Sequence, residues 1–213
     1  MVGLLVLANL AVFVHELALQ AGPRGPAALD AFVKHYGLVP RVLLSGARYA
    51  WITPLTSMFL HGGWLHIGGN LLYLWIFGNN VEDLLGHARF VVFYLVCGLV
   101  AAAAQVASAP ASSLPTIGAS GAISGVLGAY LVSYPTARVR TVIPLGFFWP
   151  TVLVPAVVFL AIWFAMQLLA GLSATGAEHG GVAWWAHVGG FLAGAALARP
   201  MRRHPPTRAR LAI

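Results

Sequence analysis

The chain has 213 residues, 60% of them hydrophobic and only 8% charged, with a mean hydropathy of +0.84 and a formal net charge of +7. That leaves too little polar surface to clothe a soluble globule of this size, so composition excludes an ordinary soluble domain and points to a multispanning membrane protein. The net charge argues only weakly for nucleic-acid binding, because the basic residues lie mostly between and after the apolar runs, as topology signals do.

A helix needs about 20 apolar residues to cross a hydrocarbon core and tolerates roughly 17. In chain order, six segments meet or approach that length, near 3–19, 58–78, 89–108, 120–135, 151–171 and 183–199. The first lacks a basic n-region and a clear cleavage site, so it reads as a true span and not as a signal peptide. The third holds Cys97, the single cysteine, so neither an intrachain disulfide nor a CxxC metal site is available. The tail, 201–213, is basic, contains Pro205 and Pro206, and reads as a disordered end held near anionic headgroups.

Arginine placement sets an orientation. With the amino terminus inside, the inner loops and tail collect Arg89, Arg138, Arg140, Arg199, Arg202, Arg203, Arg208 and Arg210. The outer side holds Arg24, Lys34, Arg41 and Arg48, all in the long first connection, which counts less. Both termini are therefore expected in the cytoplasm. Ser120 then starts its span from the outer side, and His187 falls near the outer end of the last span, so the two share a depth.

The polar residues within the spans are few. His66 and Asn70 are four apart and share a helix face, with His61 five residues before His66. Such groups are costly at membrane depth and either line a functional cavity or glue helices together; for this pair alone the two readings are about even. A metal site is disfavoured, because there is no HExxH and no carboxylate beside these histidines. Gly118-Ala119-Ser120-Gly121 opens the fourth span, and Gly121, Gly125 and Gly128 line one of its faces. Gly190 and Gly194 form a GxxxG after His187. Small residues let backbones approach closely in lipid, and here they could bring a hydroxyl and an imidazole together as nucleophile and base.

Four motifs in order carry a family resemblance. His61-Gly-Gly-Trp-Leu-His66-Ile-Gly-Gly-Asn70, then Val81-Glu82-Asp83-Leu84-Leu85-Gly86, then Gly118-Ala-Ser120-Gly-Ala-Ile, and Ala186-His187-Val-Gly-Gly190-Phe-Leu-Ala-Gly194 resemble a bacterial rhomboid intramembrane serine protease. The resemblance implies an all-α polytopic membrane protein, a six-transmembrane-helix bundle in the bacterial inner membrane with its active site opening outward. It implies a Ser120–His187 dyad that cleaves membrane-protein substrates in or near their transmembrane helices without cofactor or metal. His66, Asn70 and the Ser120 N–H would form the oxyanion hole, and Gly118 and Gly121 would admit the substrate backbone. His61 would brace the first connection, and Glu82 with Gly86 would form a structural turn. The glycine-containing loop 174–182 could cap the site or simply connect. Oligomeric state is not encoded legibly, since lipid itself demands an apolar exterior.

Two positions depart from the family pattern. The first connection has Trp51-Ile52-Thr53 where a Trp-Arg pair is common, and Ser124 stands where many members place an aromatic ring against the histidine. The rival readings are a catalytically inactive rhomboid-like protein that binds membrane clients, and a small transporter. Retention of Ser120 and His187 disfavours the first; the absence of an internal repeat disfavours the second.

Overall fold

The apolar runs form long helices whose greasy faces point outward, the reverse of a soluble protein. The computed structural model describes residues 1–143, 146–174 and 182–205. Helix α1 (Val2–Ala21) leads into a first connection containing α2 (Gly25–Tyr36), α3 (Pro40–Leu44) and α4 (Thr53–Thr56). Then come α5 (Trp64–Leu85), α6 (His87–Ser108) and α7 (Ser120–Ser133), a hairpin of β1 (Arg138–Val142) and β2 (Thr151–Pro155), and α8 (Ala156–Ser173) and α9 (Trp184–Met201). The loop 174–182 lies largely outside the described residues, as does the tail beyond residue 205.

The inward stripe of α1 is Val2, Leu5, Asn9, Phe13 and Glu16, while Leu4, Leu7, Leu10 and Val14 are exposed. Spacings of three and four place the stripe on one face, and its polar members are buried while leucines face out. Helix α8 does the same, with Ala156, Leu160, Gln167 and Gly171 turned inward and Ile162, Met166, Leu169 and Leu172 outward.

Helices α1, α6 and α8 are long and apolar enough to cross a membrane on their own. The others differ for a physical reason. Helix α7 has 14 residues, about 21 Å of rise, but it is sheathed by protein, with every residue from Gly121 to Tyr130 buried. A helix that meets little lipid need not match the lipid's thickness. Helix α5 carries Asn70, Asn79, Asn80, Glu82 and Asp83, which lower its hydropathy while Asn70, Asn80 and Glu82 are buried.

Three boundaries depart from the sequence-based ranges. The segment expected as a helix from 58 starts at Trp64, because Gly63 has φ +151°, a conformation L residues rarely adopt. His61 is therefore outside the helix, and α5 runs on to Leu85, taking Glu82 into its last turn. The segment expected as a helix from 151 begins as strand β2, paired antiparallel with β1 from Arg138↔Pro155 to Val142↔Thr151. Thr151-Val-Leu-Val is rich in β-branched residues and precedes Pro155, which disfavours helix in the residue before it. An all-α expectation thus overlooks a hairpin, although the chain is predominantly helical.

Close approach of α7 and α9 is written in their glycines. A methyl on Gly190 would strike the carbonyl of Gly121, one on Gly194 the carbonyl of Gly125, and one on Gly128 the carbonyl of Phe191. Helix α6 closes a third side, with Ala101 and Cys97 against Gly121 and Gly125 and Ala104 against Gly189.

Candidate active site

Ser120 is the first residue of α7, where the preceding segment is held in place from outside the helix. Leu38 and Thr116 exchange both backbone hydrogen bonds, at 3.0 and 2.8 Å, and Gly118 N–H donates to the Ser57 carbonyl at 2.8 Å. The first connection therefore fixes the approach to Ser120. The first N–H groups of α7 have no carbonyl one turn back to bond, so they and the positive end of the helix dipole gather at this point.

His187 lies one turn into α9, 9% exposed. Its Nε2 is 2.8 Å from Ser120 Oγ and its Nδ1 is 2.7 Å from Gln167 Oε1 on α8. A carbonyl oxygen can only accept, so Nδ1 carries the proton and Nε2 accepts the hydroxyl hydrogen of Ser120. The indole of Trp163 sits 6.0 Å from the imidazole, centre to centre, and Trp184 meets it edge-on at 6.4 Å.

Ser124 does not bond the imidazole. Its hydroxyl donates to the Ser120 carbonyl at 2.6 Å, a bond one turn back along α7. An aromatic neighbour of the imidazole comes instead from α8, where Trp163 lies tilted against the ring. Composition alone suggests lipid contact for the aromatics of that segment, but Phe159, Trp163 and Phe164 pack against the core, and Trp149 is exposed.

His66 and Asn70 lie one turn apart on α5; His66 lines the cavity that Ser120 and His187 also line, whereas Asn70 is buried and is not among the lining residues. Gly62 N–H donates to His66 Nδ1 at 3.3 Å, which leaves the proton of the neutral ring on Nε2. That Nε2 stands 2.6 Å from where a methyl on Gly118 would be, and Ser120 Oγ is 3.7 Å from the same point. Gly118 has φ +122°, so both its backbone and its surroundings demand glycine. Asn70 is 6% exposed and its Nδ2 is buried without a hydrogen-bond partner among the described residues. A buried donor left unpaired is costly in a resting protein.

His66, Ser120 and His187 share the wall of a cavity of about 710 Å³, together with Gln105, Ser112 and Trp184. Gln105 Oε1 is buried without a partner among the described residues, and nothing in the sequence singles it out, because one amide in an alanine-rich run has no periodic companion. Gln167 was missed for the same reason.

The remaining candidate residues lie apart from the hydroxyl and act on the frame. His61 N–H donates to both carboxylate oxygens of buried Glu16 at 3.2 Å, and its Nδ1 donates to the Phe59 carbonyl at 3.2 Å, tying α1 to the start of α5. Its ring also packs edge-on against His66, centres 5.1 Å apart. Glu82 accepts from the amino terminus, from Val2 N–H at 2.8 Å and from the His87 ring, joining α1, α5 and α6 at the opposite end. Thr53, where an arginine was the expectation, is buried and donates to the Ala50 carbonyl at 2.7 Å.

The model of the rhomboid domain matches residues 48–204, most of the chain and all of the site. The chain belongs to the rhomboid family. It is similar to the rhomboid protease GluP of Bacillus subtilis, 34% identical over 154 residues, covering 72% of this chain and 27% of that protein. It is also similar to the chloroplastic rhomboid-like protein 11 of Arabidopsis thaliana, 30% identical over 164 residues, covering 73% and 54%. The bovine mitochondrial presenilin-associated rhomboid-like protein is 29% identical over 129 residues, covering 55% and 34%. The chain thus spans between about a quarter and about half of the length of these relatives. Family and apolar helices together make this rhomboid an integral membrane protein.

Proposed function

We propose that the protein is an intramembrane serine endopeptidase that hydrolyses peptide bonds in or near transmembrane helices of membrane-protein substrates. The observation that carries the reading is the pair of contacts on one imidazole, Ser120 Oγ on Nε2 and an acceptor on Nδ1. Six helices, α1 and α5 to α9, cross the bilayer, with both termini cytoplasmic and the cavity opening to the outer side.

Ser120 Oγ attacks the scissile carbonyl carbon while its proton passes to His187 Nε2. Charge develops on the carbonyl oxygen, where His66 Nε2–H, Asn70 Nδ2–H and the Ser120 N–H donate to it. The unpaired state of Asn70 Nδ2 supports this role, since its partner would exist only during reaction. Collapse of the tetrahedral species breaks the C–N bond, and the leaving amine takes the proton from Nε2. Water from the cavity then loses a proton to His187 and attacks the acyl ester on Ser120; the C–Oγ bond breaks, the acid leaves, and His187 returns the proton to Ser120 Oγ. No carboxylate is needed beside the dyad, and in an apolar interior it would be expensive.

A substrate helix must unwind locally to present its carbonyl, and glycine or proline near the cleaved bond lowers that cost. The reading is tested with purified protein in detergent and a single-span model substrate. Wild type should cleave, and Ser120→Ala and His187→Ala should not. Undiminished cleavage by either variant overturns the dyad, and a wild-type chain that binds the span without cutting it supports the client-binding alternative.

A further inference from the structure

We propose that Gln167 is a positioning residue for His187, holding the imidazole in the one tautomer that can take a proton from Ser120. The inference rests on the protease reading and deepens it by naming a third member of the hydrolytic unit.

Gln167 is 8% exposed and sits on the narrow inward stripe of α8, where its neighbours along the stripe, Leu160 and Gly171, are apolar or small. A buried amide among such residues is unfavourable unless it is hydrogen-bonded. The bond it makes is to His187 Nδ1 at 2.7 Å. With Oε1 toward the ring, Nδ1 must donate, and Nε2 is left with a lone pair directed at Ser120 Oγ, 2.8 Å away. The opposite tautomer would put N–H against Oγ and leave no base; it would also set a bare nitrogen against a carbonyl oxygen. With its oxygen toward the ring, Gln167 favours the competent tautomer over the incompetent one.

Among the described residues, no other hydrogen-bond partner of the His187 ring makes this choice. Trp163 and Trp184 restrict the ring's tilt but do not distinguish its nitrogens, and the Ser124 hydroxyl is spent on the Ser120 carbonyl. A glutamine also suits the place chemically. It offers the same acceptor oxygen as a carboxylate without carrying charge into an apolar interior. When Nε2 takes the serine proton, the amide dipole keeps its negative end on the imidazolium, a modest stabilisation that costs no reorganisation.

The assignment is tested on the full chain in detergent with ¹⁵N-labelled histidine, with His187→Ala used to assign the resonances. In the wild type, His187 should show a protonated Nδ1 and a bare Nε2. Gln167→Leu, close in shape and apolar, should lose that preference. Its kcat on a single-span substrate should fall roughly 10- to 100-fold, at or below the low end of the ~100- to 10,000-fold that general acid–base catalysis contributes, with KM within about twofold and melting lowered modestly, because the buried His187 Nδ1–H loses its partner. A wild-type His187 protonated on Nε2 overturns the proposal whatever the variant does. So does a Gln167→Leu chain that keeps both the tautomer and the wild-type kcat. Failure of the protease reading has a different signature: the expected tautomer in a chain whose cleavage is absent or survives Ser120→Ala.

Discussion

Gly118→Ala is expected to impair turnover far more than folding. The new methyl would stand 2.6 Å from His66 Nε2 and 2.8 Å from its Cε1, whereas non-bonded carbons rest at about 3.5–4.0 Å. The ring must retreat by about 1 Å, and a misplacement of that size at a reacting centre costs about 100-fold. The backbone adds a second penalty, because alanine at φ +122° is strained by roughly 1–3 kcal/mol. The assay is cleavage of a single-span substrate alongside thermal melting, with Gly118→Ala, His66→Ala and the double variant in parallel. If the methyl acts by displacing His66, the double variant should be little worse than the worse single one, since the same donor is lost only once. Full multiplication of the two losses would refute the reasoning, as would Gly118→Ala turning over at the wild-type rate.

Other outcomes follow from the same geometry. His66→Ala and Asn70→Ala should each lower kcat by about one to three orders of magnitude with little change in KM, as loss of an oxyanion donor does; an effect confined to KM, read from substrate titrations, would mark them as helix glue. Gly194→Leu should abolish activity and lower the melting temperature, because α9 cannot keep its distance from the Gly125 carbonyl; a cysteine cross-linking measurement between α7 and α9 reports the separation. Ser124→Ala should leave kcat within about threefold, since it removes only one neutral hydrogen bond, to a carbonyl of its own helix. His61→Leu should act mainly on melting, and normal melting with lost turnover would contradict its bracing role.

Much of the site's geometry was readable because membrane helices leave few polar residues to choose among. His66 and Asn70 share a face by simple helical spacing, Ser120 opens an apolar run that follows proline and glycine, and the glycines of α7 and α9 mark backbones that touch. What the sequence concealed depends on contacts between elements. Gln167 lies 20 residues before His187 on a different helix, in a run whose aromatics read as lipid-facing, and no periodicity connects the two. Ser124 stood out as a missing ring, yet His187 has an aromatic neighbour in Trp163 from across the α8–α9 contact. Asn9 and Glu16 form the buried polar part of an α1 stripe that hydropathy alone averages away. The β1–β2 hairpin was absorbed into an apolar run because Thr151-Val-Leu-Val satisfies hydropathy whether extended or helical, and only β-branching with Pro155 separates the two.

The central claim is that Ser120 is a nucleophile made reactive by His187. Its most direct measurement is labelling with a fluorophosphonate probe, mapped by mass spectrometry, in the wild type and His187→Ala. The account predicts an adduct on Ser120 that disappears when the imidazole is removed. Equal labelling of Ser120 without His187, or no adduct on Ser120 in a folded wild-type chain, would contradict it.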